Sequence, residues 1–166
     1  PECGGAPSVG TVSALPEDEG VLWATQSEQY LREPLPPAVL RSTDGGRHWT
    51  EARADAELVA LVRIPSGAFG LCRPGVIGQL DASGRAFSPV AAAPPGGRVA
   101  DLVVLDGQLV AATGSWLWRS ADGATSWEPL LDEPRIGPIT ALAVSDSVLT
   151  IASATSGLWE AHRCFE

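Results

Sequence analysis

Ser42-Thr43-Asp44-Gly45-Gly46-Arg47-His48-Trp49 returns later in the chain, altered, as Ser120-Ala121-Asp122-Gly123-Ala124-Thr125-Ser126-Trp127. Both stretches read Ser-x-Asp-Gly-x-x-x-Trp. An Asp-Gly pair between two apolar runs predicts a hairpin turn. The carboxylate accepts backbone amides inside the turn, and the glycine takes the positive φ that such turns need. The Ser hydroxyl adds a bond. The closing Trp is expected on the strand that follows, where its ring fills space between facing sheets. An Asp placed in this way reads as a turn residue and not as a catalytic acid.

The second Trp falls 78 residues after the first, which suits two units of about 39 residues. A degenerate copy lies midway, at Gln79-Leu80-Asp81-Ala82-Ser83-Gly84-Arg85-Ala86-Phe87, keeping Asp81, a glycine and a terminal aromatic with one residue inserted. A fourth copy opens at Gly157-Leu158-Trp159-Glu160-Ala161, which overlays Trp116-Leu117-Trp118-Arg119-Ser120. A period of about 40 residues is that of propeller blades. Within each period, short β-branched and apolar runs alternate with Gly, Pro or acidic turns, without helical spacing. First strands are expected at 10–15, 58–64, 99–105 and 139–144, and second strands at 21–25, 68–72, 108–113 and 148–152. Third strands are expected at 38–42, 76–80, 116–120 and 157–163, and fourth strands at 47–52, 86–90 and 126–131. The expected fold is all-β, a small propeller of four four-stranded blades in one domain over 1–166. The blades run near 9–54, 55–93, 94–134 and 135–166 completed by 1–8.

The composition narrows the function classes. With 20 acidic against 11 basic residues the net charge is -9, so nucleic acid and anionic membrane are not expected as partners. No apolar run reaches the ~18 residues of a membrane span. Every basic residue is Arg, and Met is absent, so residue 1 is expected to follow a removed leader or a cut in a longer chain. Cys3, Cys72 and Cys164 lack zinc-site spacing, as do His48 and His162. The acidic turn Glu17-Asp18-Glu19 lacks the spaced ligands of a calcium loop. No phosphate loop, dinucleotide fingerprint, nucleophile elbow or zinc-protease helix occurs. Neither metal nor cofactor is expected.

The two octapeptides resemble the Asp-box, or bacterial neuraminidase repeat, of sialidases and of many non-catalytic propellers. The structural set is Ser42, Asp44, Gly45 and Trp49, then Asp81 and Phe87, then Ser120, Asp122, Gly123 and Trp127. The Asp-Gly-Gly-x-x-Trp form is also similar to repeats of photosystem II assembly factor-like proteins, which are scaffolds. The resemblance implies that the boxes sit on outer hairpins, away from the ligand face. Sialidases use an arginine triad and a Tyr nucleophile, and carry Arg-Ile-Pro ahead of their boxes. Here Arg63-Ile64-Pro65 follows the first box, a departure from that pattern. The one tyrosine, Tyr30, lies in a long insertion at 26–37. No catalytic residue is assigned.

The fourth period stops after its third strand, and residues 2–8 have no other place in the repeat. They are expected to supply the missing strand, which brings Cys3 opposite Cys164 in pairing register for a disulfide. Two alternatives stay open: the chain is a fragment of a larger ring, or terminal strands exchange between two chains. Cys72 is then a buried thiol outside the bridge. A disulfide implies an exported, periplasmic or extracellular protein.

In a propeller, second-to-third and fourth-to-first connections emerge on the usual ligand face. That places Tyr30, Arg32, Glu33, Arg73, Arg98, Trp116 and Arg135 there, with arginines from several blades able to meet an anionic ligand. The expected function is a non-catalytic binding or scaffold module for a protein or glycan, as a monomer or strand-exchanged dimer. The alternatives are a sialidase-like glycoside hydrolase and a structural subunit of a larger assembly.

Overall fold

Four antiparallel sheets, each a meander of consecutive strands, make up the computed structural model, which describes residues 9–14, 20–26, 38–53, 58–72, 75–81, 86–132 and 135–161. The first sheet holds β1 (Val9–Ala14), β2 (Leu22–Gln26), β3 (Ala38–Ser42) and β4 (Thr50–Arg53). The second holds β5 (Leu58–Ile64), β6 (Gly67–Cys72), β7 (Val76–Leu80) and β8 (Phe87–Pro89). The third holds β9 (Val99–Leu105), β10 (Gln108–Thr113), β11 (Trp116–Ser120) and β12 (Glu128–Asp132). The fourth has three described strands, β13 (Ile139–Ser145), β14 (Val148–Ser153) and β15 (Gly157–Ala161). No helix occurs among the described residues.

The second strands of the two middle sheets carry the densest burial. In β10 every residue from Leu109 to Thr113 is buried, and in β6 every residue from Phe69 to Cys72. Covered on both faces, such strands read as continuous apolar runs rather than as alternating ones. Their small residues, Ala111 and Ala112 at 0% exposure, let the flanking sheets come close. Three apolar clusters follow, each shared by consecutive sheets. Trp23, Val39, Leu58 and Leu61 join the first to the second. Phe69, Leu71, Leu102 and Leu109 join the second to the third. Leu105, Leu117, Leu142 and Leu149 join the third to the fourth. First strands β1, β5, β9 and β13 run beside one another. Asp101 Oδ2 ties two of them by accepting the Leu142 amide at 2.8 Å.

Strands at 38–42, 58–64, 76–80, 99–105, 108–113 and 116–120 stand where the pattern predicts them. Fourth strands start later than expected, β4 at Thr50 and β12 at Glu128. The cause is local: His48, Thr125 and Ser126 give their amides to an Asp carboxylate instead of to the ladder. Trp49 and Trp127 therefore precede the strand and do not lie on it. Phe87 opens β8, and its ring lies on Gly78 of the neighbouring strand, where a Cβ would come within 2.2 Å of it. The ring thus covers its own sheet. The expected ring closure by residues 2–8 and the Cys3–Cys164 bridge lie outside the described residues. Cys72 is buried, 6% exposed, at the end of β6.

Candidate functional site

Because each sheet is a meander, its second-to-third connection shares an end with the connections that enter and leave the sheet. In the third sheet one side chain organises that end. Thr113, the last residue of β10 and 0% exposed, donates from Oγ1 to the Pro95 carbonyl at 2.7 Å and accepts the Trp118 indole N–H at 2.8 Å. Pro95 lies in the connection that ends at Arg98. Gly96 beside it, at φ +93°, has no room for a side chain, since a Cβ would stand 2.7 Å from Thr113 Oγ1. On the other flank the Gly114 carbonyl accepts the amide of Ile139 at 2.7 Å, just past the connection that carries Arg135. One turn is thus bonded to both neighbouring connections.

That bonding brings Arg98, Trp116 and Arg135 to one rim. Arg98 and Arg135 are exposed. Trp116 is 38% exposed and stacks on Trp118, with ring centroids 5.7 Å apart and planes 16° from parallel. The Arg98 stem lies over Gly75, where a Cβ would meet Arg98 Cγ at 2.6 Å. A recess of about 240 Å³ opens beside it, against Leu71 and Cys72. Exposed arginines and an exposed aromatic at one end of a sheet are groups that can hold an anion or an apolar ring edge. Tyr30, Arg32, Glu33 and Arg73 lie outside the described residues.

No family model matches the sequence, and no curated protein matches it. Solved structures do. YCF48 from Cyanidioschyzon merolae superposes with a TM-score of 0.69 at 14% identity, over 91% of this chain and 52% of that one. YCF48 bound to D1 peptide gives 0.67 at 16% identity, over 93% and 55%. The GH74 xyloglucanase from Xanthomonas campestris gives 0.64 at 20% identity, over 92% and 29%. The fold is a β-propeller. The chain spans about half the length of the YCF48 structures it resembles.

In propeller terms the octapeptides close outer hairpins on the end of the blades opposite the rim. Asp44 Oδ1 accepts the His48 amide at 2.9 Å and the Ser42 hydroxyl at 2.8 Å, while Oδ2 meets His48 Nδ1 at 2.5 Å. Asp122 Oδ1 accepts the amides of Thr125 and Ser126 at 3.0 and 2.9 Å, and Oδ2 the Ser126 hydroxyl at 2.6 Å. The His48 backbone bond is the main reason the Asp44 carboxyl is held to about 2, below the usual 3.8. For Asp122, also about 2, it is the Ser126 hydroxyl. Carboxylates so engaged are poor proton donors at neutral pH. Gly45 and Gly123 adopt φ of 71° and 72°. Among the described residues no group of His, Cys, Asp and Glu is arranged to hold a metal ion.

Thr113 and Trp118, which set the rim, belong to neither octapeptide of the chain. Their signal lay in the sequence: a Thr ending an apolar strand, with a Trp five residues on. It becomes meaningful only when the hairpin pairs Thr113 with Trp116.

Proposed function

We propose that this propeller is a non-catalytic binding module, its octapeptides being Asp-box repeats, which recognises a protein or glycan partner on the rim of Arg98, Trp116 and Arg135. The observation that carries this reading is the Trp116–Trp118 stack, 38% exposed at Trp116 and tied by Thr113 to the connection bearing Arg98. Exposed large aromatics and arginines are the residue types of interface hot spots. Holding the ring in place lowers the cost of ordering it on binding. One similar structure, YCF48, is bound to a D1 peptide, which favours a protein partner here.

Copurification from the native source tests the reading. The wild-type chain is expected to retain a partner that Trp116→Ala loses by tenfold or more. Equal recovery with both variants, or robust turnover of a fluorogenic sialoside, overturns it. Ring closure by residues 2–8, a Cys3–Cys164 bridge and export belong to the same proposal. Intact mass with and without reductant checks them, and thiols at both cysteines of the secreted protein remove the closure.

A further inference from the structure

The larger recess of the molecule opens on the opposite end from the rim, between the first two blades. It holds about 600 Å³ and is bounded by Trp23 and Arg41 of the first blade and by Arg63, Ser66, Asp81 and Ser88 of the second. Trp23 and Arg41 face each other directly across the β2–β3 pair, and the Arg41 guanidinium carbon lies 5.5 Å from the indole centroid.

Two buried donors in this wall have no hydrogen-bond partner, Trp23 Nε1 and Arg41 Nε. Trp23 is 4% exposed. Buried polar groups are ordinarily satisfied, and an orphan of this kind calls for an explanation. Both orphans are N–H donors and neither has acceptor capacity, so the missing group is an acceptor. Asp81, the acid bounding the recess, uses Oδ1 to accept the Ala86 amide at 3.2 Å. Gln79 gives its amide to the Ser66 carbonyl. Among the described residues bounding the recess the charged side chains are Arg41, Arg63 and Asp81.

We infer that this recess is a second ligand site, which takes a carboxylate on the Arg41 fork with the Trp23 indole N–H as a further donor. A carboxylate is planar, and its two oxygens match Nε and one terminal nitrogen of a guanidinium. Arg41 Nε is buried as it stands, while Arg41 itself bounds the recess, so binding in this way requires a turn of the long Arg41 chain that presents its Nε edge to the ligand. The recess volume suits a sugar acid or the end of a peptide. The site uses none of the rim residues and faces the other way.

Calorimetric titration of the full chain with four probes tests this: glucuronate against glucose, and acetyl-trialanine with a free carboxylate against its amide. At least one carboxylate probe is expected to bind tenfold or more tightly than its neutral counterpart, and which one does so identifies the source as sugar acid or peptide. Arg41→Gln should weaken that probe at least tenfold. Arg41→Lys, which keeps the charge and loses the fork, should weaken it about fivefold. Trp23→Phe removes the orphan N–H while keeping an aromatic ring in the core, so it should fold and bind several-fold more weakly. Arg98→Gln, on the rim, should bind as wild type does. The site is overturned if no carboxylate probe binds at millimolar concentration. Equal binding of acid and neutral probes overturns it as well, as does wild-type affinity in both Arg41→Gln and Trp23→Phe. Loss of partner binding at the rim would leave this outcome untouched, so the two sites fail separately.

Discussion

At the first octapeptide the Trp49 indole donates to the Gly46 carbonyl three residues back, at 3.0 Å, and the ring stays 37% exposed. At the second, Trp127 sits on the apolar cluster between the second and third blades and donates to the Ala92 carbonyl, 2.9 Å away in the connection from β8 to β9. The turns themselves match. Ser42 Oγ accepts the Gly46 amide at 2.9 Å, and Ser120 Oγ accepts the Ala124 amide at 2.8 Å. The surroundings do not. A Cβ on Gly123 would meet Ser66 Oγ and Phe69 of the preceding blade, whereas one on Gly45 would meet nothing within 4 Å. Among the described residues, every hydrogen bond of the first octapeptide stays within its own blade. One motif therefore has two separable parts: a turn it makes alone, and an anchor that exists only where a preceding blade receives it. The expectation that both Trp rings fill the space between sheets holds for Trp127 and not for Trp49.

The largest difference is expected when the two rings are removed one at a time. Trp127→Ala should cost about 2–3 kcal/mol of stability, at or below the range for a buried aromatic because the ring is half-buried. Trp49→Ala should cost under about 1 kcal/mol, as surface changes do. Urea unfolding of the two variants measures the difference, and equal losses would mean that the first Trp is anchored as well.

Next in size come the serines, which probe the part that the two octapeptides share. Ser42 and Ser120 are 1% and 2% exposed. Changing either to Ala leaves a turn amide without its acceptor, at about 1–2 kcal/mol. The two losses should agree within about 0.5 kcal/mol by the same unfolding measurement. A large gap between them would tie the turn to its surroundings after all.

The fourth residue after each serine gives a smaller test. Gly46 stands at φ 89° and Ala124 at φ 64°. Gly46→Ala should cost about 1 kcal/mol, because the conformation disfavours a side chain and the new Cβ would press Leu22 Cδ1 at 3.2 Å. For Ala124→Gly, backbone relief opposes the loss of a methyl that is 1% exposed in the core, so a change within about 1 kcal/mol of zero is expected. Thermal melts would register both.

The mildest test is acid. Both aspartates bind protons more weakly in the fold than in the unfolded chain, since their folded values are about 2 against 3.8. Their stabilisation is fully present above pH 3.8 and is lost as the pH falls toward 2. Melting temperature recorded from pH 5 to pH 2 should decline over that window. Asp44→Asn and Asp122→Asn should each flatten the decline by a similar step, because the turns are alike.

Much of the fold was legible because its signals are local. An Asp-Gly turn, a closing aromatic and a period of about 40 residues are written in consecutive positions, and six strands fall where the pattern puts them. The fourth strands were read too early, since the sequence does not announce that an Asp carboxylate will take amides from the ladder. The rim was half legible. Arg98, Trp116 and Arg135 share an end by the order of the connections, but the bond from Thr113 to the connection bearing Arg98 shows only against Pro95, 18 residues away. The recess of Trp23 and Arg41 has no local signature. Its cue, a Trp opposite an Arg in neighbouring strands, needs the hairpin register, and its orphaned donors need the second blade.

The repeat, the all-β class and the two turns are written in the chain: the first two in the spacing of apolar runs and breakers, the turns in bonds closed within about five residues and in backbone angles that Gly and Asp set locally. Tertiary structure alone decided which Trp becomes an anchor, where the arginines gather and which buried donors go unpaired. Those depend on groups from different blades meeting, and the packing that brings them together is not a property of any single stretch of chain.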